Sequence, residues 1–168
     1  MSYSVIVVSD TSPISNLIDL GQLTLLRALF NQVVIPTAVE SELLQVEDPQ
    51  FRHSYLQSRE SGWLIVKSPV NLSEVNRLKQ ILDPGEAEAI SLALELNAQT
   101  LLIDERMGYK VAHQSHLRAV GVLGILIEAK RKGLIPDVRS YLDKLKYEIG
   151  FWVSDNVYRH VLNLADER

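Results

Sequence analysis

The sequence predicts an α/β protein of three layers, with helices on both sides of a central, mainly parallel sheet. Three observations predict it. Short apolar, β-branched runs recur along the chain, each followed by a helix-start signal. The runs are apolar at successive positions rather than alternating, as strands covered on both faces require. No internal repeat, low-complexity tract or long linker interrupts the alternation of strand and helix.

The elements follow in order. Val5-Ile6-Val7-Val8 reads as the first buried strand, ending at Ser9-Asp10. Ser12-Pro13 reads as a helix N-cap with proline at the first helical position. Val33-Val34-Ile35 is a strand, and Pro36 opens a helix through Leu44. Asp48 to Arg59 reads as helical, and Trp63 to Val66 as a strand. Asn71 or Ser73 begins a helix toward Leu82. Asp83-Pro84 starts a strong helix to Leu96, with an acid at the cap and proline next. Thr100 to Ile103 is a strand ending in Asp104, and Glu105 to Ser115 a helix. Leu117 to Val120 is a short strand, and Val122 to Arg131 a helix stopped at Gly133. Asp137 caps a helix to about Lys146, and Asp155 to Ala165 forms the last one.

Composition narrows the class. The 168 residues, 46% apolar and 23% charged, fit one globular domain over 1–168. There is no cysteine, so disulfides and thiolate metal sites are excluded. No basic stretch precedes the first apolar run, which is too short to span a bilayer, so a soluble cytoplasmic protein without a membrane role is expected. A net charge of −4 argues against a broad basic face that coats nucleic acid. It leaves room for an enzyme with a local basic rim and acidic catalytic groups.

Ligands of parallel sheets bind beyond the carboxyl ends of the strands. Asp10 and Asp104 both stand there. One aspartate in such a place is usually a turn or cap residue; two in matching contexts point to function. In the helix after Asp83, Ala89, Ile90, Ala93 and Leu96 define an apolar stripe that contains Glu86. Glu88 falls toward Ser91 and Glu95 on the polar side. An acid on an inward stripe needs pairing, protonation or a metal. Either acid also suits the positive helix end. In the helix after Ile35, Glu42 borders the face of Val39 and Val46, whereas Glu40 groups with Leu44 and Glu47. Periodicity prefers Glu42 only slightly. Acids gathered without neutralising lysines are stable around a divalent cation, and oxygen ligands favour Mg²⁺ or Mn²⁺ over zinc.

Four segments resemble, in order, the motifs of PIN domains, especially a prokaryotic toxin-like subgroup. They are Val7-Val8-Ser9-Asp10-Thr11-Ser12-Pro13, Ala38-Val39-Glu40-Ser41-Glu42-Leu43, Gly85-Glu86-Ala87-Glu88-Ala89-Ile90-Ser91-Leu92-Ala93 and Leu101-Leu102-Ile103-Asp104-Glu105-Arg106. Lys130-Arg131-Lys132-Gly133 resembles a late segment of the same subgroup. The similarity covers about Val5 to Gly133. It implies a PIN-like, Rossmann-like core at about 5–133 with a C-terminal helical extension at 134–168. It selects Glu42 in the second motif and Glu86 in the third. The implied catalytic and metal-binding set is therefore Asp10, Glu42, Glu86 and Asp104, with Mg²⁺ or Mn²⁺ as cofactor. The implied activity is hydrolysis of RNA phosphodiester bonds by the toxin of a toxin–antitoxin pair. A small antitoxin protein and homodimerisation come with that resemblance.

Two departures stand out. The third acid is Glu where many relatives have Asp, and Tyr109 stands where relatives often carry a basic residue. Thr11, Ser12, Arg106 and Lys110 are candidates for substrate phosphate contact, against plain capping and solvated-helix roles. His113 and His116 lack the partners of a metal motif and read as surface residues. No phosphate-binding glycine loop and no Gly-x-Ser-x-Gly elbow is present. The alternative to a ribonuclease is a binding or regulatory protein on the PIN fold with little or no nuclease activity. A DNA-directed or flap-type nuclease is a third reading.

Overall fold

The computed structural model describes residues 5–167. The elements run β1 (Val7–Ser9), α1 (Thr11–Asp19), α2 (Leu25–Phe30), β2 (Val33–Pro36), α3 (Thr37–Leu44), α4 (Pro49–Glu60), β3 (Leu64–Lys67) and α5 (Leu72–Leu78). Then come α6 (Pro84–Glu95), β4 (Thr100–Leu102), α7 (Arg106–Gln114), β5 (Ala119–Val120), α8 (Val122–Arg131), α9 (Arg139–Lys144), a π-helical turn (Leu145–Ile149) and α10 (Asp155–Leu164).

Among the described residues the five strands form one sheet in the order β3-β2-β1-β4-β5, and every pairing is parallel. The expectation of a mainly parallel sheet thus becomes an all-parallel one. Successive strand residues face opposite sides, and this sorts the core into two layers. Val7, Val33, Ile35 and Leu102 pack with α1, α2, α4 and α8. Val8, Val34, Leu101 and Ile103 pack with α5, α6 and α7. The strands are apolar throughout because both faces are covered.

The chain builds outward from β1 to β2 and β3, then returns to lay β4 and β5 on the other side of β1. The order reverses between β1 and β4, which makes that junction the switch point where such sheets bind ligands. The register there is Val7 with Thr100 and Ser9 with Leu102. The Asp10 N–H donates to the Leu102 carbonyl at 2.8 Å, so the two strands end side by side.

The C-terminal segments enter the first core layer rather than lying over it. Val138, Leu142, Leu145, Val153, Val161 and Leu162 belong to the same buried cluster as Val7 and Leu17. Glu167 clamps the turn before α9, accepting from the Val138 N–H at 2.7 Å and the Arg139 N–H at 3.0 Å. Lys130 donates to the same carboxylate at 3.0 Å and to the Ala165 carbonyl. Lys130 is thereby a structural cation, tied to Glu167 and the Ala165 carbonyl.

Several boundaries differ from expectation, each for a local reason. The first strand is Val7–Ser9, not Val5 to Val8, because pairing with β4 sets its ends; Val5 is 53% exposed. Ser12 does not cap α1, since Asp10 holds the cap position and Pro13 is the third helical residue. Proline is tolerated there because the first helical N–H groups have no partner within the helix anyway. Pro36 closes β2 and precedes α3 instead of opening it. Helix α2 was not foreseen: Leu-Leu-Arg-Ala-Leu-Phe has no side-chain cap, and burial of Leu25 and Leu26 holds it. Of the two candidate caps for α5, Asn71 is the one used, accepting from the Glu74 N–H at 3.2 Å, and that helix ends by Leu78. The fifth strand shortens to Ala119–Val120, and the helix expected to reach Lys146 gives way to the π-helical turn.

Leu142→Ala is expected to destabilise the protein by about 2–5 kcal/mol in urea unfolding, because a fully buried leucine leaves a cavity in the main core. A change below about 1 kcal/mol would mean that the C-terminal helices are only loosely attached.

Candidate active site

Four elements deliver the four acids. Asp10 follows β1, Glu42 lies on α3, Glu86 is in the first turn of α6, and Asp104 follows β4. Asp10 is 3% exposed and Glu86 is 6% exposed, while Glu42 and Asp104 are half-buried.

Side-chain contacts fix each one. Thr11 Oγ1 donates to Glu42 Oε2 at 2.5 Å, tying α3 to the start of α1. Asp104 Oδ1 accepts from the Val122 N–H at 2.9 Å, at the start of α8, and its Oδ2 is buried with no hydrogen-bond partner. Three glycines leave the space that three of the acids fill. A Cβ on Gly85 would sit 2.7 Å from Glu42 Oε1, one on Gly108 3.2 Å from Glu86 Oε2, and one on Gly121 2.4 Å from Asp104 Oδ1.

The neighbouring acids that compete with them in sequence are used elsewhere. Glu40 accepts from the buried Tyr55 hydroxyl and pairs with Arg59 at 3.2 Å. Glu88 accepts from Thr37 Oγ1 and the Ala38 N–H, both at 3.0 Å, so it caps α3. Ser91, expected on the same polar side, is buried at 1% exposure. Helix α6 is packed by α3 and α5 as well as by the sheet, so a single apolar stripe understates how much of it is covered.

Two further acids were missed as members of the group. Asp83 accepts from the Glu86 N–H at 2.9 Å and faces the Glu86 carboxyl. Glu105 directly follows Asp104. Their signal was present, Asp83 as a helix cap and Glu105 as the neighbour of a strand-end acid, but neither role alone points to a site.

The electrostatics reflect burial without a cation. Burial pushes Asp10 up to about 7, reinforced by Asp83, Glu42 and Glu105 and opposed by the Thr11 N–H. Burial raises Glu86 to about 8, with hydrogen bonding to Asp83 next in importance and then the charges of Asp83, Asp10 and Glu105. Burial lifts Asp104 to about 6 against the Val122 N–H, with Glu105 adding to the rise. Among the described residues none of the four acids has a Lys or Arg ion-pair partner.

Among the described residues no three His, Asp or Glu side chains stand close enough together to hold a metal ion between them. The donor set is nonetheless the right kind for an open site. It is all oxygen, uncompensated by cations, and includes a buried Asp104 oxygen lacking any partner. A hard divalent cation that takes oxygen ligands suits such a donor set.

The remaining candidates are distributed differently. Thr11 is committed to Glu42, which makes it a positioning group. Ser12 accepts a long bond from Asn16 Nδ2 at 3.4 Å. Arg106 and Lys110 are exposed on α7, as are Tyr109 and His113, and His116 is exposed just beyond it.

Stability should follow these shifts. Acids whose folded pKa lies above the ordinary carboxylate value bind protons more tightly in the folded state, so they stabilise at low pH and lose that contribution as pH rises through the folded value. In EDTA, the melting temperature is expected to fall between pH 5 and pH 8, by thermal denaturation. Asp10→Asn should flatten that slope and melt higher than wild type at pH 8; an unchanged slope would remove Asp10 from the group.

A family model described as DUF3368: PIN domain matches residues 6–167. Among solved structures, a PilT N-terminus domain protein from the hyperthermophilic archaeon Sulfolobus solfataricus is similar at 21% identity with a TM-score of 0.50, over 74% of this chain and 93% of that one. At that identity the likeness concerns the fold. No curated protein matches the sequence. No helix among the described residues is long and apolar enough to cross a membrane. With a family match that runs almost end to end, through the C-terminal helices as well as the sheet, the chain belongs to the PIN domains, a nuclease fold family.

Proposed function

We propose that the chain is a divalent-metal-dependent endoribonuclease, formed as one domain, with Asp10, Glu42, Glu86 and Asp104 as its catalytic and metal-binding set. One observation carries the reading: Asp10 and Asp104 end adjacent parallel strands at the β1–β4 switch point, the charges of Glu42 and Glu86 act together with Asp10, none of the four has a basic partner among the described residues, and one buried Asp104 oxygen has no hydrogen bond. Glu40 on α3, by contrast, has a basic partner in Arg59.

Asp10, Glu86 and Asp104 would hold the cation, with Glu42 completing the set. Mg²⁺ or Mn²⁺ bound there supplies Lewis acidity toward a phosphodiester and toward the attacking water. The chain's own groups do the rest. Thr11 orients Glu42, and the Val122 N–H anchors one Asp104 oxygen and leaves the other without a hydrogen bond. Arg106 and Lys110 lie exposed on the helix after Asp104, where they can attract substrate phosphate. Hydrolysis adds water across one P–O bond, leaving a phosphate on one fragment and a hydroxyl on the other. The toxin role, the small antitoxin partner and the homodimer are supported by the motif resemblance.

Cleavage of an end-labelled RNA, with single-stranded DNA in parallel, tests the reading. Wild type is expected to cut RNA with Mg²⁺ or Mn²⁺ and to stop in EDTA. Asp10→Asn should lower the rate by about two orders of magnitude or more, the scale of removing one charge-stabilising group from a preorganised site. Glu88→Gln should retain the rate, since its amide oxygen still accepts from the start of α3. Cleavage that persists unchanged in Asp10→Asn sinks the assignment.

Gly121→Ala offers a second check, since its methyl would displace the Asp104 carboxylate. The rate is expected to fall at least about tenfold with the fold retained by circular dichroism. A wild-type rate would show that the Asp104 position does not matter.

A further inference from the structure

A groove of about 520 Å³ runs along the outer edge of β5, lined among others by Tyr109, Arg118, Gly121, Gly124, Glu128 and Arg131. It begins beside the proposed site, because Gly121 both lines the groove and abuts the Asp104 carboxylate. We propose that this groove receives the single-stranded RNA flanking the scissile phosphate, with a base against Tyr109 and phosphates on Arg118 and Arg131. The proposal rests on the ribonuclease reading for its choice of ligand.

Positive charge is concentrated in one stretch of the chain, and Arg118 and Arg131 carry it into the groove beside Glu128. The chain carries −4 overall, yet residues 106–132 hold six Lys and Arg against one carboxylate, Glu128. Lys130 is tied to Glu167, and Arg131 shares Glu128 at 3.2 Å. Arg106, Lys110, Arg118 and Lys132 have no ion-pair partner among the described residues. A cationic strip on an acidic protein, ending at a phosphodiester-cleaving site, matches a polyanion in charge.

The groove also has a stacking surface. Tyr109 is 48% exposed on α7, one turn after Arg106 and beside Lys110. An aromatic ring flanked by cations is how single strands are held without sequence preference. Gly121 and Gly124 keep the opposite wall low, so a strand can approach backbone. A peptide strand added to the sheet fits less well, because β5 offers only two residues of edge.

Fluorescence anisotropy in EDTA, where no strand is cut, tests the groove separately from catalysis. The probe is a fluorescein-labelled single-stranded oligoribonucleotide of about ten nucleotides. Wild type should bind with strong salt dependence. Arg118→Glu should weaken binding at least about tenfold, and Arg118→Ala should lower the slope of log K against log salt by about one. Tyr109→Ala should weaken it about tenfold with the slope unchanged, and Tyr109→Phe should restore it. Both side chains are exposed, and melting curves matching wild type will confirm folded variants.

No binding by wild type, or wild-type affinity in Arg118→Glu and Tyr109→Ala, overturns the groove whatever the cleavage assay gives. A wild-type dimer that Arg118→Glu turns into a monomer, by light scattering, also overturns it, since the groove would then be an interface between copies. Groove-dependent binding without any cleavage supports the groove and removes only the ribonuclease reading.

Discussion

The junction between β1 and β4 organises everything around it. These strands lie far apart in sequence, and the chain completes one wing of the sheet before β4 returns to β1. A single hydrogen bond from the Asp10 N–H to the Leu102 carbonyl marks where their ends align. Because the strands are parallel, the residues just past their ends, Asp10 and Asp104, stand at the same carboxyl edge of the sheet. The α3 and α6 helices then start from that edge and bring Glu42 and Glu86 with them.

What gathers there is electrostatically costly. Burial raises Asp10, Glu86 and Asp104, and Asp83 and Glu105 add to the pressure on them. The surrounding chain does nothing to relieve the charge with a cation, yet it accommodates the carboxylates sterically. Gly85, Gly108 and Gly121 each leave a space that a methyl group would close. Acids of the same helices that are not part of the group have been given ordinary work: Glu40 with Tyr55 and Arg59, Glu88 at the start of α3.

The cations are organised with equal economy of position. Those near the C-terminal helices, such as Lys130, lock structure. Those along α7 and the approach to β5 remain exposed beside the carboxylate group. The net charge of the chain conceals this segregation, because attraction of a phosphate backbone depends on the local field and falls off within a Debye length.

The alternation of apolar runs and helix starts was enough to read the layered fold, since strands buried on both faces leave an uninterrupted apolar signature. Asp10 and Asp104 were legible for the same reason, as the first polar residues after such runs. Glu86 was legible from its place on an apolar stripe, whereas Glu42 differed too little from Glu40 in periodicity and needed the motif resemblance. Helix α2 was invisible because tertiary burial, not capping, holds it. Local pattern determined which residues lie near strands, because an uninterrupted apolar run marks a strand but not the side each residue faces. Only the tertiary structure decided that Asp83 and Glu105 press on the group, that Glu88 caps α3, and that a cationic groove adjoins Asp104. Those facts depend on contacts between elements distant in sequence, and no local periodicity encodes them.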